Sequence, residues 1–309
     1  MRRAIVIDTD PGQDDAVAIL LALALGERFD LRAITAVAGN VAVAQTAANA
    51  RRIVELAGHP GLAVHAGCAA PLVLKLETAE FVCGPDGLDG AGLPPPALPP
   101  AGGHGVDTLV ALLRAAAPAS VTLCMLGPLT NLALALRLAP DIGPRIDQVV
   151  LMGGAMGLGN MTPAAEYNIY ADPHAAAVVL GAGLRVTLIG LHLTLTAIAS
   201  HAQVARIGAL ATRAGRAVHG MLTRPRAGGL GSVGHPMHDV CVIGFLAWPE
   251  LFTGRDCFVE VETGAGPLRG RTTIDWHGRL RQPANAHVLD RIDAAPFFDR
   301  AIDALARLP

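Results

Sequence analysis

Four carboxylates fall within eight residues near the start of the chain: Asp8, Asp10, Asp14 and Asp15, in the run Asp8-Thr9-Asp10-Pro11-Gly12-Gln13-Asp14-Asp15. They follow directly on the apolar run Ala4 to Ile7. Acids are disfavoured in strands and costly to bury alone. At the carboxyl end of a strand and the first turn of the next helix they can share a cation. Oxygen donors of this kind suit a hard ion, calcium or magnesium. Spacing alone leaves a plainer role open, in which Asp14 and Asp15 stabilise the helix N-terminus through its dipole and Asp10 sits in a turn.

The elements that must position these acids alternate in type. Ala4 to Thr9 reads as a strand, Asp14 to Leu25 as a helix, Leu31 to Ala38 as a strand and Val43 to Ala57 as a helix. Val121 to Leu126 is expected to be a strand, and Pro128 to Leu138 a helix opening with proline near its first turn. Gln148 to Met152 and Arg185 to Ile189 read as further strands, separated by a helix starting near Pro173. Such alternation predicts an α/β fold, a mainly parallel sheet with helices on both faces and a mixed edge. The residues from Arg255 onward read as strands of that edge and a closing helix over Ala294 to Arg307. No repeat or low-complexity linker divides the 309 residues, so a single domain is expected. Cys83 to Gly105, Gly153 to Pro163 and Arg224 to Pro236 are rich in Gly and Pro and read as loops. Ligands of open parallel sheets sit beyond the carboxyl ends of the strands, so these loops are where chemistry should lie.

Composition narrows the partners. Hydrophobic residues make up 52% of the chain, the habit of strands buried on both faces, yet no apolar run is long enough to span a bilayer. Arg2 and Arg3, with only four apolar residues before Asp8, predict no secretory signal. Net charge is −2, Lys75 is the only lysine and aromatic content is 4%, which argues against nucleic acid as a partner. The five cysteines are odd in number and form no CxxC pair, which disfavours disulfides and zinc and fits a reducing cytoplasm.

The run Asp8 to Ala16 resembles the N-terminal signature of the inosine-uridine-preferring nucleoside hydrolase family. The resemblance continues in Ala38-Gly39-Asn40-Val41, in Leu126-Gly127-Pro128-Leu129-Thr130-Asn131-Leu132, and in Met152-Gly153-Gly154 with Asn160. Glu166-Tyr167-Asn168 and Met237-His238-Asp239 complete the series. It implies the open Rossmann-like nucleoside hydrolase fold and cleavage of the N-glycosidic bond of a ribonucleoside by water. It also implies a calcium ion held by Asp10, Asp15, Asp239 and the backbone carbonyl of Leu126. Asp14, Asn168 and Asp239 would surround the ribose diol, Asn160 and Glu166 would reach the 5′ side, and Asn40 would line the pocket. Asp10 is the expected general base toward water, and His238 the expected donor to the leaving base. The family resemblance further implies a homodimer or homotetramer.

Two segments depart from the family's pattern. Val82-Cys83-Gly84-Pro85-Asp86-Gly87 has Cys83 where many relatives carry histidine, so Cys83 is expected to line the pocket as a small polarizable residue. Arg224 to Pro236 lacks the tyrosines that some relatives place over the base, leaving His219, Arg224 or Arg226 as substitutes. Purine, pyrimidine and nicotinamide ribosides therefore all stay open as substrates. So do a hydrolase of another ribosylated compound and a catalytically silent ribose-binding protein. A strand ending in Asp-x-Asp also resembles haloacid-dehalogenase-like phosphotransferases, but these need a lysine on a later loop, which Lys75 does not supply. His235 and His238 alone, without a further His or Cys cluster, do not make a zinc pair.

Overall fold

A computed structural model describes residues 2–224 and 234–309. An eight-stranded sheet forms its centre, built from β1 (Arg3–Thr9), β2 (Phe29–Ala36), β3 (Val64–Ala66), β4 (Val121–Met125), β5 (Ile146–Met152) and β6 (Val186–Ile189), with two strands from the C-terminal part. Between β6 and those strands lie the short β7 (Ile198–Ala199) and β8 (His235–Pro236), which pair antiparallel with each other. β9 (Phe252–Cys257) is followed by the hairpin β10 (Val259–Val261) and β11 (Thr272–Ile274), and then by β12 (Ala286–Ile292). Spatial order in the main sheet is β3-β2-β1-β4-β5-β6-β12-β9. Every neighbouring pair is parallel except the last, where β9 runs antiparallel to β12. The α/β class, the parallel centre and the mixed edge are as the alternation implied.

Side chains alternate across this sheet with a period of two and divide the core into two layers. Ile5, Ile7, Cys124, Val150 and Met152 pack with α1 (Gln13–Ala24) and α2 (Val43–Leu56). Val6, Leu123, Met125, Val149 and Leu151 pack on the opposite face. That face is covered in part by two helices numbered after the short α3 (Glu80–Cys83), namely α4 (Gly105–Ala115) and α5 (Thr130–Leu138). The first layer closes with α11 (Val240–Ala247) and α12 (Ala294–Leu305), which pack against α1. Between α5 and α11 the chain forms α6 (Tyr167–Ala171), α7 (Pro173–Leu180), α8 (Leu191–Thr194), α9 (His201–Gly208) and α10 (Arg213–Thr223). No helix among the described residues is long and apolar enough to cross a membrane.

Element ends differ from expectation by small shifts with local causes. The helix expected from Pro128 starts at Thr130, because Leu129 is its N-cap. The second strand ends at Ala36 rather than Ala38, where the chain turns into the Gly39-Asn40 loop. The loop expected from Arg224 to Pro236 ends earlier, since His235 and Pro236 form β8, and 225–233 lies outside the described residues. Trp276 is half-buried, with the Arg255 guanidinium 4.3 Å from its ring centroid.

Candidate active site

A cavity of about 300 Å³ opens beyond the carboxyl ends of β1, β4 and β5. All eleven residues singled out from the sequence line it: Asp10, Asp14, Asp15, Asn40, Cys83, Leu126, Asn160, Glu166, Asn168, His238 and Asp239. The floor is acidic and the mouth apolar. Phe81 (64% exposed), Val82 (49%) and Leu195 (42%) belong to the lining, together with Met161 and Tyr167.

The floor is built by the turn from β1 into α1. Gly12 is the helix N-cap, and its amide donates to Asp15 Oδ2 at 3.0 Å, while Thr9 Oγ1 donates to Asp15 Oδ1. Asp15 thus caps the helix and faces the cavity at once. Asp14, Asp15 and Asp239 place carboxylate oxygens within 4.8 Å of one another. Asp239 arrives at the N-terminus of α11, and its buried Oδ1 has no hydrogen-bond partner among the described residues.

Asp10 stands beside this trio in a slot of backbone. Its Oδ2 accepts from the Asn40 amide at 2.7 Å, and the Asn40 side chain donates to the Asp10 carbonyl at 3.1 Å and to Asp15 Oδ2 at 3.4 Å. Asn40 therefore braces two acids as well as lining the cavity. Asn168 donates through Nδ2 to the carbonyls of Leu126 at 2.6 Å and Met152 at 3.1 Å, so the Leu126 carbonyl has an amide partner. Glu166 is the N-cap of α6 and accepts from the amides of Asn168 (2.9 Å), Gly154 (3.0 Å) and Ile169 (3.2 Å). Its carboxylate shapes the loop that carries Asn168. Asn160, at the mouth, accepts from the Tyr167 amide at 2.9 Å. His238 receives a contact from Thr194 Oγ1, 2.7 Å from Nδ1.

A profile described as inosine-uridine preferring nucleoside hydrolase matches residues 5–299. The pyrimidine-specific ribonucleoside hydrolase RihA of Shewanella woodyi is 42% identical over 309 residues, covering 99% of this chain and 98% of that one. This chain belongs to the inosine-uridine-preferring nucleoside hydrolase family. It is accordingly a hydrolase, of the kind that opens the N-glycosidic bond of ribonucleosides. Among solved structures, the purine-preferring ribonucleoside hydrolase from Gardnerella vaginalis superposes with a TM-score of 0.89 at 29% identity, covering 98% of both chains. A plant nucleoside hydrolase, PpNRh1, superposes with a TM-score of 0.91 at 28% identity, covering 99% of both.

Electrostatics of the hydrolase floor follow from burial. Desolvation, then Asp15, pushes the Asp10 carboxyl well above the usual carboxylate range. Asp239 is raised in the same way by burial and then by Asp15, Asp14 and Asp10, and Asp15 is raised by burial to about 6. Like charges held this close call for a counter-charge. Behind the floor, Asp8 is the penultimate residue of β1, and its Oδ2 accepts from Thr35 Oγ1 and from Asn131 Nδ2 at 2.7 Å. Asn131 also accepts from the Cys68 amide at 2.8 Å, so the Gly-Pro-Leu-Thr-Asn segment of the hydrolase stitches β1 to the segment after β3.

Cys83, the departure from the family pattern, is buried at the end of α3, with Sγ 3.4 Å from the Ala79 carbonyl. Burial, then Asp10, pushes its thiol up to about 12, so it stays a neutral thiol. The other four cysteines are also free and buried. Iodoacetamide near neutral pH should therefore alkylate Cys83 in the native hydrolase roughly 1000-fold more slowly than in the unfolded chain. Peptide mass mapping checks this, and rapid native labelling of Cys83 would contradict the buried thiol. Of the three substitutes for the missing tyrosines, His219 and Arg224 do not line the cavity, and Arg226 lies outside the described residues.

Residues that sequence reasoning missed are the apolar rim (Phe81, Val82, Met161 and Leu195) and Thr194. Gly39 and Gly127, which face Asp10 from two sides, were also missed as site residues. The glycines stand inside the quoted motifs and were legible there, whereas nothing in the sequence marks Thr194.

Proposed function

We propose that the chain is a calcium-dependent ribonucleoside hydrolase that releases ribose and free base, with pyrimidine ribonucleosides as its preferred substrates. The observation that carries this reading is the orphaned Oδ1 of buried Asp239, set among the carboxylates of Asp14 and Asp15. An all-oxygen donor set of this charge fits a hard divalent cation, and the residues present fit calcium, which takes 6–8 oxygens. Asp10, Asp15, Asp239 and the Leu126 carbonyl would hold it. Bound there, calcium would supply positive charge that offsets the carboxylates and would make hydroxyl and water protons nearby more acidic.

The chain's own residues then divide the work by position. Asp10 takes the proton of the attacking water as general base. Asp14, Asn168 and Asp239 fix the sugar diol, with Asn160 and Glu166 toward the 5′ side. The carboxylate floor favours the oxocarbenium-like charge that develops on the sugar as the base leaves. His238 donates to the leaving base, which lies against the apolar mouth of Phe81, Val82 and Met161. Preference for a pyrimidine is supported by the full-length likeness to the Shewanella woodyi enzyme.

The test is reducing-sugar release from uridine, cytidine, inosine, adenosine and guanosine, with and without chelator. Release fastest from uridine or cytidine and abolished by chelator is the expected result, with 2′-deoxyuridine at least about 100-fold slower for want of one hydroxyl. Release that survives exhaustive chelation would overturn the calcium reading, and faster release from inosine or guanosine the pyrimidine preference.

A further inference from the structure

The wall that brings Phe81, Val82 and Cys83 to the cavity is reached through a strap of chain, residues 73–78, with little of its own to hold it. Among the described residues the strap makes no backbone–backbone hydrogen bond, and neither Leu74 nor Leu76 joins either layer of the core. Main-chain anchors stand only at its two ends. The Leu72 amide donates to Asp172 Oδ2 at 2.8 Å, and the Ala79 amide to the Asn40 carbonyl at 3.0 Å. A stretch so poor in burial and in protected hydrogen bonds opens at little cost unless side chains hold it shut.

Side chains from two distant elements converge on Glu77 in the middle of the strap. Tyr167, which lines the cavity, donates its hydroxyl to the Glu77 carbonyl at 2.9 Å. The Tyr170 hydroxyl donates to Glu77 Oε2 at 3.1 Å, and Arg269 Nη2 to Oε1 at 2.7 Å. Arg269 comes from the connection between β10 and β11, and its guanidinium lies over Tyr170, 3.8 Å from the ring centroid. Gly270, at φ +77°, lets that connection press on α6, since a Cβ there would stand 2.6 Å from Tyr170 Cα. Thr272 Oγ1 fastens the same hairpin to Ala155, at 2.9 Å from its amide and 3.0 Å from its carbonyl. A solvated surface ion pair is worth little. Here the Arg269 side chain is only 20% exposed and lies over an aromatic ring, and each Glu77 oxygen has its own donor.

We infer that Arg269 and Glu77 are positioning residues, a latch that fastens the base-side wall of the cavity to α6 before the nucleoside arrives. The inference deepens the function proposed above and rests on its placing of the leaving base against Phe81 and Val82. Neither residue lines the cavity, and both act through the segment that does. With the latch intact, the substrate meets a wall already in place. Without it, the substrate must draw the wall in, and its apparent affinity falls by the fraction of time the wall is in position. The acidic floor is untouched, so the bound substrate reacts as before.

The test exploits Lys75, the only lysine of the chain, which is exposed within the strap. Endoproteinase Lys-C can therefore cut the full chain at one place, and the rate of that cut reports how often the strap opens. Arg269→Met keeps an apolar stem beside Tyr170 and removes the guanidinium, while Glu77→Ala removes the carboxylate. In each variant cleavage after Lys75 should be at least about tenfold faster than in the parent. KM for uridine should rise about tenfold, with kcat held within about twofold. The double variant should be no worse than the more affected single one, because two halves of one latch do not add. Parental cleavage rates in both folded variants would overturn the proposal, and so would an unchanged KM. A fall in kcat at constant KM, in step with a lower melting temperature, would overturn it as well, by marking a pair that serves stability alone. Should one variant fail to fold, the other decides. Failure of the hydrolase reading looks different: no ribose is released from any nucleoside, while the Lys-C rates still separate the variants from the parent.

Discussion

Asp10→Asn should lower the turnover of uridine by about 1000-fold, the scale of a lost general base. The substitution is close to isosteric, and the new amide oxygen can still accept from the Asn40 amide that Asp10 Oδ2 now holds at 2.7 Å. What it removes is the charge and the basic site. That charge is expensive in the cation-free protein, because burial and then Asp15 raise the Asp10 carboxyl well above its usual range. The sign is definite. A carboxyl whose folded pKa is raised destabilises the fold at every pH above its unfolded value, so a neutral replacement relieves the fold near neutral pH. In chelator, then, Asp10→Asn should melt at a higher temperature than the parent while having lost its activity. Calcium should raise its melting temperature less than it raises that of the parent, since one ligand charge is gone. Steady-state kinetics with paired melting curves measure all three. Near-parental turnover would end the assignment of Asp10 as base.

Gly39→Ala should be nearly as damaging, for a purely steric reason. A Cβ at that position would stand 2.0 Å from Asp10 Oδ2, 2.7 Å from its Cγ and 3.0 Å from its Cβ. Asp10 has nowhere to retreat. On its other side a Cβ at Gly127 would come within 2.4 Å of Oδ1, so the two glycines form the walls of a slot one carboxylate wide. Overpacking of this kind costs about 1–3 kcal/mol, and a catalytic group displaced by an ångström can lose about 100-fold in rate. Gly61→Ala is the control, since nothing lies within 4 Å of the added atom. Denaturant titration and initial rates together check the pair. Gly39→Ala with both values unchanged would mean that the slot yields, and that the glycine is there for another reason.

Much of this was legible because it is local. The acidic run, its position after an apolar strand and the βα rhythm are all readable within windows of about a dozen residues. Asp14 and Asp15 posed a choice between helix capping and cation binding. The structure shows the capping role and keeps it compatible with the other, since Asp15 takes the Gly12 amide and still faces Asp239. Other features were out of reach. β3 has three residues and owes its existence to pairing with β2, and α4 stands right after a Pro- and Gly-rich stretch that dominated its reading. Thr194 is an ordinary residue in an apolar segment until the fold brings it to His238. Glu166 was assigned to the sugar, and its geometry adds a role that composition could not suggest: three backbone amides close on one carboxylate and set the loop around Asn168.

The carboxylates of Asp15 and Asp239 meet although well over half of the polypeptide lies between them. A cation that needs both cannot assist an early, locally structured chain, because closing so long a loop is among the last things the folding chain does. On the proposed function, capture of the ion would therefore report completion. A nascent or truncated chain that lacks α11 would offer it no site, and the finished molecule alone would gain its stabilisation by mass action.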